Sequence, residues 1–238
     1  MGRQRRPLWA ALSGLVTAGG TAASVYALAV RPWHMRWGAA HSEVERALPG
    51  DDLVPAPRYR ATHAVTIRAA VADVWPWLVQ IGQGRAGFYS YDWIENALGL
   101  NIHSADRIIP EFQVLRPGDV IPLAPDGFGI PVVEVQPGRA LVLGGELAPR
   151  ESGANSFAAS WVFVLEPVAE DATRLIERIQ MDYAPTALNR LLFQVLMEPG
   201  SFLMERRMLL GIKARAEQQV DASQFGALPL EYEVPLDE

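Results

Sequence analysis

In the stretch AVTIRAAVADVWPWL, residues 64–78, the spacing of the apolar residues changes partway along. It passes from every second residue, as in a strand, to about every 3.6 residues, as in a helix. Ala64 to Arg68 alternate as in a half-buried strand, whereas the following apolar residues recur at helical spacing. Pro76 is tolerated in such a helix only near its first turn. The sequence therefore predicts a strand that passes directly into a helix, with the folded domain beginning near Arg60.

A loop, a short helix and a second loop are predicted next. Glycines within residues 82–84 end the first helix. Asp92 and Glu95 have the spacing of a helix cap and its returning side chain, and Gly99 stands where a left-handed residue ends a helix. This pattern predicts a helix over residues 93–98.

Beyond residue 119 the period is that of strands. Five segments alternate or are continuously apolar: residues 120–123, 130–136, 139–145, 157–166 and 173–182. Turn-forming pairs such as Pro117-Gly118 and Pro137-Gly138 separate them at hairpin spacing, which predicts antiparallel neighbours.

Two amphipathic helices are predicted near the C-terminal end. The first carries an apolar stripe of Leu188, Leu191, Leu192, Val195 and Leu196. Pro199-Gly200 is expected to break the chain before a second helix, which continues to about Gln219. Residues 221–238 are interpreted as an acidic tail.

Three stretches resemble a known family. IRAAVADVWPWL, residues 67–78, is similar to the strand-to-helix transition in the polyketide-cyclase-like branch of the START-like helix-grip superfamily, also called SRPBCC. GFYSYDW, residues 87–93, and IHSAD, residues 102–106, resemble a signature of its uncharacterised bacterial members. Over about residues 60–219, the resemblance implies an α+β helix-grip fold, with a curved antiparallel sheet around a long C-terminal helix.

The same resemblance implies a cavity between sheet and helix that binds a hydrophobic or amphipathic small molecule, lipid-like or polyketide-like. Proteins of one fold perform many functions, so the resemblance leaves the activity open. A ligand-binding module is the first hypothesis, and a cyclase or dehydratase-like enzyme is the alternative.

Two carboxylates break apolar patterns. Glu177 shares a face of its predicted strand with Leu175 and Ile179, and Glu205 projects from the apolar arc of the last helix. A buried carboxylate must be hydrogen-bonded, paired or protonated. The two acids either bind a polar group of a ligand or are satisfied by structural partners, and both interpretations stay open.

Aromatic and methionine side chains supply the predicted apolar wall of a ligand site. The candidate ligand-binding residues are Tyr89, Tyr91, Trp93, His103, Trp161, Phe163, Glu177, Met204 and Met208. The tyrosines would seal the mouth of the pocket, and Trp161 would flank a ring or an acyl chain. Packing of the protein core explains Trp161 equally well, and shielding of the helix junction is the alternative role of the tyrosines.

His103 is the candidate for acid–base chemistry, with Asp106 or Glu177 as its acidic partner. The neighbouring Ser104 does not make a nucleophilic triad, because adjacent loop side chains point apart. A loop histidine that is hydrogen-bonded to the backbone is the alternative interpretation.

The composition excludes several classes of partner. The 238 residues carry a formal net charge of -6, which provides no basic surface for nucleic acid. The chain has no cysteine, and its four histidines show no paired ligand spacing. We therefore expect no nucleic-acid partner, no metal and no cofactor.

The N-terminal region predicts contact with a membrane. Residues 8–30 are uncharged and long enough to span a bilayer, which predicts an anchor over residues 1–31 with an undetermined orientation. A cleaved secretory signal is the alternative. Residues 32–59 are interpreted as a linker with a short helix capped by Ser42 and Glu45, and residues 60–220 as the domain. A third hypothesis is a structural module that docks a membrane partner through residues 188–196.

Overall fold

The structure of the protein is a computed structural model that describes residues 24–148 and 156–226, with side chains through residue 222. Its helices are α1 (Arg31–His34), α2 (His41–Glu45), α3 (Val71–Val79), α4 (Asp92–Ala97), α5 (Ala187–Leu192) and α6 (Glu198–Gly226). Its strands are β1 (Tyr59–Ile67), β2 (Val120–Pro122), β3 (Gly129–Gln136), β4 (Ala140–Ala148), β5 (Phe157–Ala169) and β6 (Ala172–Tyr183). Most of the predicted membrane span lies outside the described residues. Within them, no helix is long and apolar enough to cross a membrane.

The six strands form one antiparallel sheet in the order β1-β6-β5-β4-β3-β2. Strands β2 to β6 follow one another as neighbours, as the turn pairs predict. Strand β1 instead pairs with β6, so that Tyr59 lies opposite Met181 and Ile67 lies opposite Thr173. The first and last strands are therefore adjacent, and the chain leaves β6 toward the long helix α6.

One face of the sheet wraps around α6. Ile67 on one edge strand and Ile121 on the other belong to the same buried core as Leu209 and Ile212 of the helix. A flat sheet of six strands would be ~24 Å wide, whereas a helix with its side chains is about 10–12 Å across. Because both edges share a core with one helix, the sheet must curve, and the predicted helix-grip fold is confirmed.

A second layer covers the outer face of the sheet. Leu48 packs with Val142, Val162 and other apolar side chains of this face. Arg178 is fully buried there, where its guanidinium bonds to Asp51 Oδ2 at 2.7 Å and to three backbone carbonyls. The part of the predicted linker that follows α1 is therefore a packed layer of the domain.

The predicted helix break at Pro199-Gly200 is wrong, because α5 and α6 are joined without interruption by a π-helical segment, Phe193–Met197. A proline inside a regular helix lacks the N–H for the ladder and clashes with a carbonyl of the preceding turn. The wider π turn changes the register just before Pro199. The carbonyl of Gln194, which the proline cannot bond, lies 3.4 Å from the hydroxyl of Tyr26.

Two predicted helix caps differ in the structure. Helix α2 begins one residue before Ser42, and Glu43 rather than Glu45 accepts a hydrogen bond from the preceding backbone, from Ala40 N at 2.6 Å. Asp92 lies inside α4, and its carboxylate accepts bonds from the backbone and hydroxyl of Ser104. A partner across the loop therefore replaces the local cap.

Candidate functional site

A histidine and two glutamates meet in the interior of the domain. His63 and Glu177 are fully buried on the paired strands β1 and β6, and Glu205 on α6 is 6% exposed. His63 points inward because it shares the inner face of β1 with Val65 and Ile67. We call His63, Glu177 and Glu205 the acidic cluster.

The ring of His63 is held at both nitrogens. Nε2 lies 2.8 Å from the carbonyl oxygen of His34, which can only accept, so Nε2 carries a hydrogen. Nδ1 lies 3.3 Å from Glu177 Oε2 and 3.2 Å from Glu205 Oε2. The other oxygen of Glu177 accepts a bond of 2.7 Å from Trp161 Nε1. These contacts fix the ring and the Glu177 carboxylate.

The cluster concentrates negative charge in the buried interior of the domain. Burial by itself lowers the pKa of His63, but the two carboxylates outweigh it and raise this pKa to about 10. Burial, and then repulsion from Glu205, raises the pKa of Glu177, which His63 opposes. A protonated His63 therefore stabilises the negative charge of one carboxylate. A second buried negative charge beside it is unfavourable.

Glu205 is the incompletely satisfied member of the cluster. Neither of its buried oxygens accepts a hydrogen bond from the residues that the structure describes, although Oε2 lies close to Nδ1 of His63. A single N–H can point well at one acceptor only, and the bond to Glu177 has the better geometry. A buried carboxylate without hydrogen bonds is costly, which distinguishes Glu205 from the well-bonded Glu177.

An apolar wall adjoins the cluster on the inner face of the sheet. Phe163, Leu175 and Met208 are buried and fill the centre of the domain. Toward the start of β5 and the end of β6, inward-facing side chains are only half-buried, among the described residues: Trp161, Ile179, Met181 and Met204. The described residues thus leave this end of the inner face accessible, with Trp161 joining it to Glu177.

The predicted rim residues lie at a different place, the loop side of α6. A cleft of about 420 Å³ is lined by Tyr91, Trp93 and Arg207 among others. The hydroxyl of Tyr89 points into the core, where it donates to Trp77 O at 3.1 Å. Gly211 lets α6 approach this loop, because a Cβ there would meet the carbonyl oxygen of Tyr89.

The structure does not bring His103 to an acid. Its ring is exposed, and Nε2 lies 3.1 Å from Asn101 Oδ1. Asp106 pairs with Arg215 at 2.7 Å and is 90% exposed, and Glu177 lies in the acidic cluster. The three candidate catalytic residues therefore occupy separate environments, because His103 is on a surface loop while Glu177 faces inward from a central strand.

Glu177 and Trp161 face inward from their strands and Glu205 faces inward from α6, as their apolar patterns predict. His63 was not among the candidate residues, because the predicted strand begins at Ala64. Extending the alternation back to Tyr59 places the histidine on the inner face of β1. That extension is the signal in the sequence that would have found it.

Comparisons with known proteins give matches of structure only. No family model matches the chain, and no curated protein matches it. A Mesorhizobium loti protein has a TM-score of 0.40 and 18% identity, covering 69% of this chain and 98% of its own. A polyketide-cyclase-like protein of Corynebacterium glutamicum has a TM-score of 0.34 and 14% identity, covering 68% and 94%.

A point mutant of Thalictrum norcoclaurine synthase, solved with a transition-state analogue, has a TM-score of 0.36 and 11% identity, covering 68% of this chain and 96% of its own. The strand order and the terminal helix of the chain itself carry the assignment of the fold. In its architecture, the chain is a helix-grip protein: an antiparallel sheet packed around a long C-terminal helix.

Proposed function

We propose that the domain binds a hydrophobic or amphipathic small molecule against the half-buried apolar wall formed by Trp161, Ile179, Met181 and Met204. The observation that carries this proposal is the adjacency of that wall to a buried polar cluster, through the bond from Trp161 to Glu177. Pockets for small molecules combine apolar walls with a few fixed polar groups. The apolar part of the ligand would contact the wall, and its polar end would face the cluster.

A blocking substitution tests this proposal. Met204→Trp adds bulk at the accessible end of the wall, and Val168→Trp adds the same side chain at an exposed position of β5. We expect the full chain to bind an apolar fluorescent dye, and Met204→Trp to weaken binding at least about tenfold, which is ~1.4 kcal/mol. Native mass spectrometry of the detergent-purified chain would identify a ligand that co-purifies. Equal dye affinity in both variants would refute the proposal.

We propose further that the module works at a lipid membrane. The helical segment that contains Tyr26 packs beside α6, because Arg31 pairs with Glu198 at 2.7 Å and the ring of Trp33 lies 5.4 Å from that of Phe202. Large apolar side chains on both helical segments remain exposed: Val25, Leu28, Trp33, Leu188, Leu191, Val195, Leu196 and Leu203. This surface continues the apolar run of residues 8–30, so a bilayer is the occupant that it fits.

Single-cysteine labelling tests the membrane proposal cleanly, because the natural chain has no cysteine. Leu191→Cys places an environment-sensitive dye on the apolar surface, and Leu98→Cys places it at an exposed leucine of the distant loop. After reconstitution of the full chain into vesicles, we expect a blue shift and quenching by lipid-borne quenchers only at position 191. No difference between the two positions would contradict the proposal.

A further inference from the structure

We propose that His63, Glu177 and Glu205 bind one divalent transition-metal ion, such as Zn²⁺ or Mn²⁺, through Nδ1 of the histidine and one oxygen of each carboxylate. This inference goes beyond the proposed function and stands without it. It reverses the expectation from histidine spacing that the chain binds no metal. The site assembles from three elements of the fold, which is why spacing along the sequence does not reveal it.

The distances suit a metal ion. One donor atom from each residue lies within 4.8 Å of the other two. Nδ1 is 3.3 Å from one carboxylate oxygen and 3.2 Å from the other. A tetrahedral ion with bonds of about 2.0–2.1 Å to nitrogen and oxygen holds neighbouring ligand atoms about 3.3–3.4 Å apart. An ion therefore fits between Nδ1 and the carboxylates with small shifts of the side chains.

The surroundings of the ligands are those of a metal site. His63 directs its second nitrogen, Nε2, to the backbone carbonyl of His34, which leaves Nδ1 as the donor atom. Glu177 presents one oxygen to the cluster while Trp161 holds the other. Outer contacts of this kind orient the ligands of bound metals.

Charge also favours a cation. Neither Glu177 nor Glu205 has an ion pair with lysine or arginine among the described residues. With neutral imidazole and two carboxylates, a divalent ion makes the buried cluster neutral. The ion would also supply the partner that the Glu205 oxygens lack within the described part of the chain. Imidazole with carboxylate is a donor set that suits zinc, manganese and iron.

In the competing arrangement the cluster contains no metal: His63 is protonated and positively charged, and one of the two carboxylates is protonated. A measurement of metal binding distinguishes the two arrangements directly.

The test uses the full chain without an affinity tag, stripped with a chelator and titrated with Zn²⁺ or Co²⁺. We expect elemental analysis to give one equivalent of metal ion per chain. Bound Co²⁺ should show the visible absorption of a site with low coordination number. Glu205→Gln should weaken binding at least about 100-fold, since loss of an outer contact alone costs about 10–100-fold. Glu95→Gln is the matched control, because Glu95 is equally buried, at 6%, and bonds Ser90 outside the cluster.

Circular dichroism and urea unfolding of the metal-free variants will show that both remain folded. The proposal would be overturned if the wild-type chain failed to bind one equivalent of metal ion. Equal metal affinity in Glu205→Gln and Glu95→Gln would also overturn it. Dye binding is measured on the metal-free wild-type chain, so that failure of the dye experiment and failure of the metal experiment are distinguishable.

Discussion

His63 and Glu177 are register partners on β1 and β6, and Nδ1 of the histidine lies 3.3 Å from Oε2 of the glutamate. The contact spans 114 residues of sequence. It ties the first strand of the domain to the last, directly under α6, and it places a titratable pair in the fully buried interior.

Removing Glu177 should therefore destabilise the metal-free domain strongly. Glu177→Ala leaves His63 and the indole N–H of Trp161 without this partner in the core, and breaking a buried pair costs about 3–5 kcal/mol. Glu166→Ala removes a half-exposed pair with Arg46 and should cost less than about 1 kcal/mol. Urea unfolding followed by circular dichroism measures both. Similar losses in the two variants would contradict the role assigned to Glu177.

Arg178 should be required for the outer layer. Arg178→Met removes the donors that bind Glu43 O, Val44 O, Arg46 O and Asp51, and we expect a loss of about 3–5 kcal/mol. Amide hydrogen exchange should quicken in residues 43–51 before it does in the sheet.

The exposed Arg139 offers the comparison, since Arg139→Met should change stability by less than about 0.5 kcal/mol. Unchanged protection of residues 43–51 in Arg178→Met would mean that apolar packing alone holds the layer.

Acid should weaken the contact between α2 and β6. A bidentate bond from Arg174 lowers the pKa of the Glu43 carboxyl below its ordinary 4.5, although burial opposes this shift. The depressed pKa means that the stabilisation is fully present above pH 4.5 and is lost as the pH falls through the folded pKa.

Arg174→Gln should cost about 1–2 kcal/mol at pH 7, less than a fully buried charged bond. The difference from the wild-type chain should shrink as the pH falls from 5 to 3, measured by urea unfolding at each pH. A difference that stays constant over this range would show that Glu43 does not titrate through Arg174.

Two glycines of α6 should respond oppositely to alanine. A Cβ at Gly211 would clash with the carbonyl oxygen of Tyr89, so Gly211→Ala should destabilise by about 1–3 kcal/mol. A Cβ at Gly200 meets open space, so Gly200→Ala should stabilise by about 0.5–1 kcal/mol through helix propensity. Thermal unfolding of the pair checks both signs. Stabilisation by both substitutions would mean that α6 lies farther from the loop at Tyr89.

Much of the fold is predictable because the periods of strands and helices are local. Alternation predicted β2 to β6 to within a few residues, and paired glycines and prolines predicted their antiparallel order. The helix break predicted at Pro199 could not be judged from neighbouring residues alone. The helix continues through Pro199 because a π turn precedes it and the hydroxyl of Tyr26, from a distant segment, reaches the carbonyl of Gln194.

The candidate site was predictable only in part. Glu177 and Glu205 were predictable as inward-facing acids, because a carboxylate on an apolar stripe is visible in the sequence. The outer layer escaped prediction, since the residues around Leu48 have a linker's composition and are buried only through contacts with the far side of the sheet.

The amino-acid sequence by itself determined the kinds and order of the elements, because each depends on neighbours a few positions away. Tertiary structure alone decided that His63 faces Glu177 and Glu205, because sheet order, register and the seating of α6 set which distant residues meet. The energy of a buried charge depends on those meetings, so the chemistry of the cluster belongs to the folded chain.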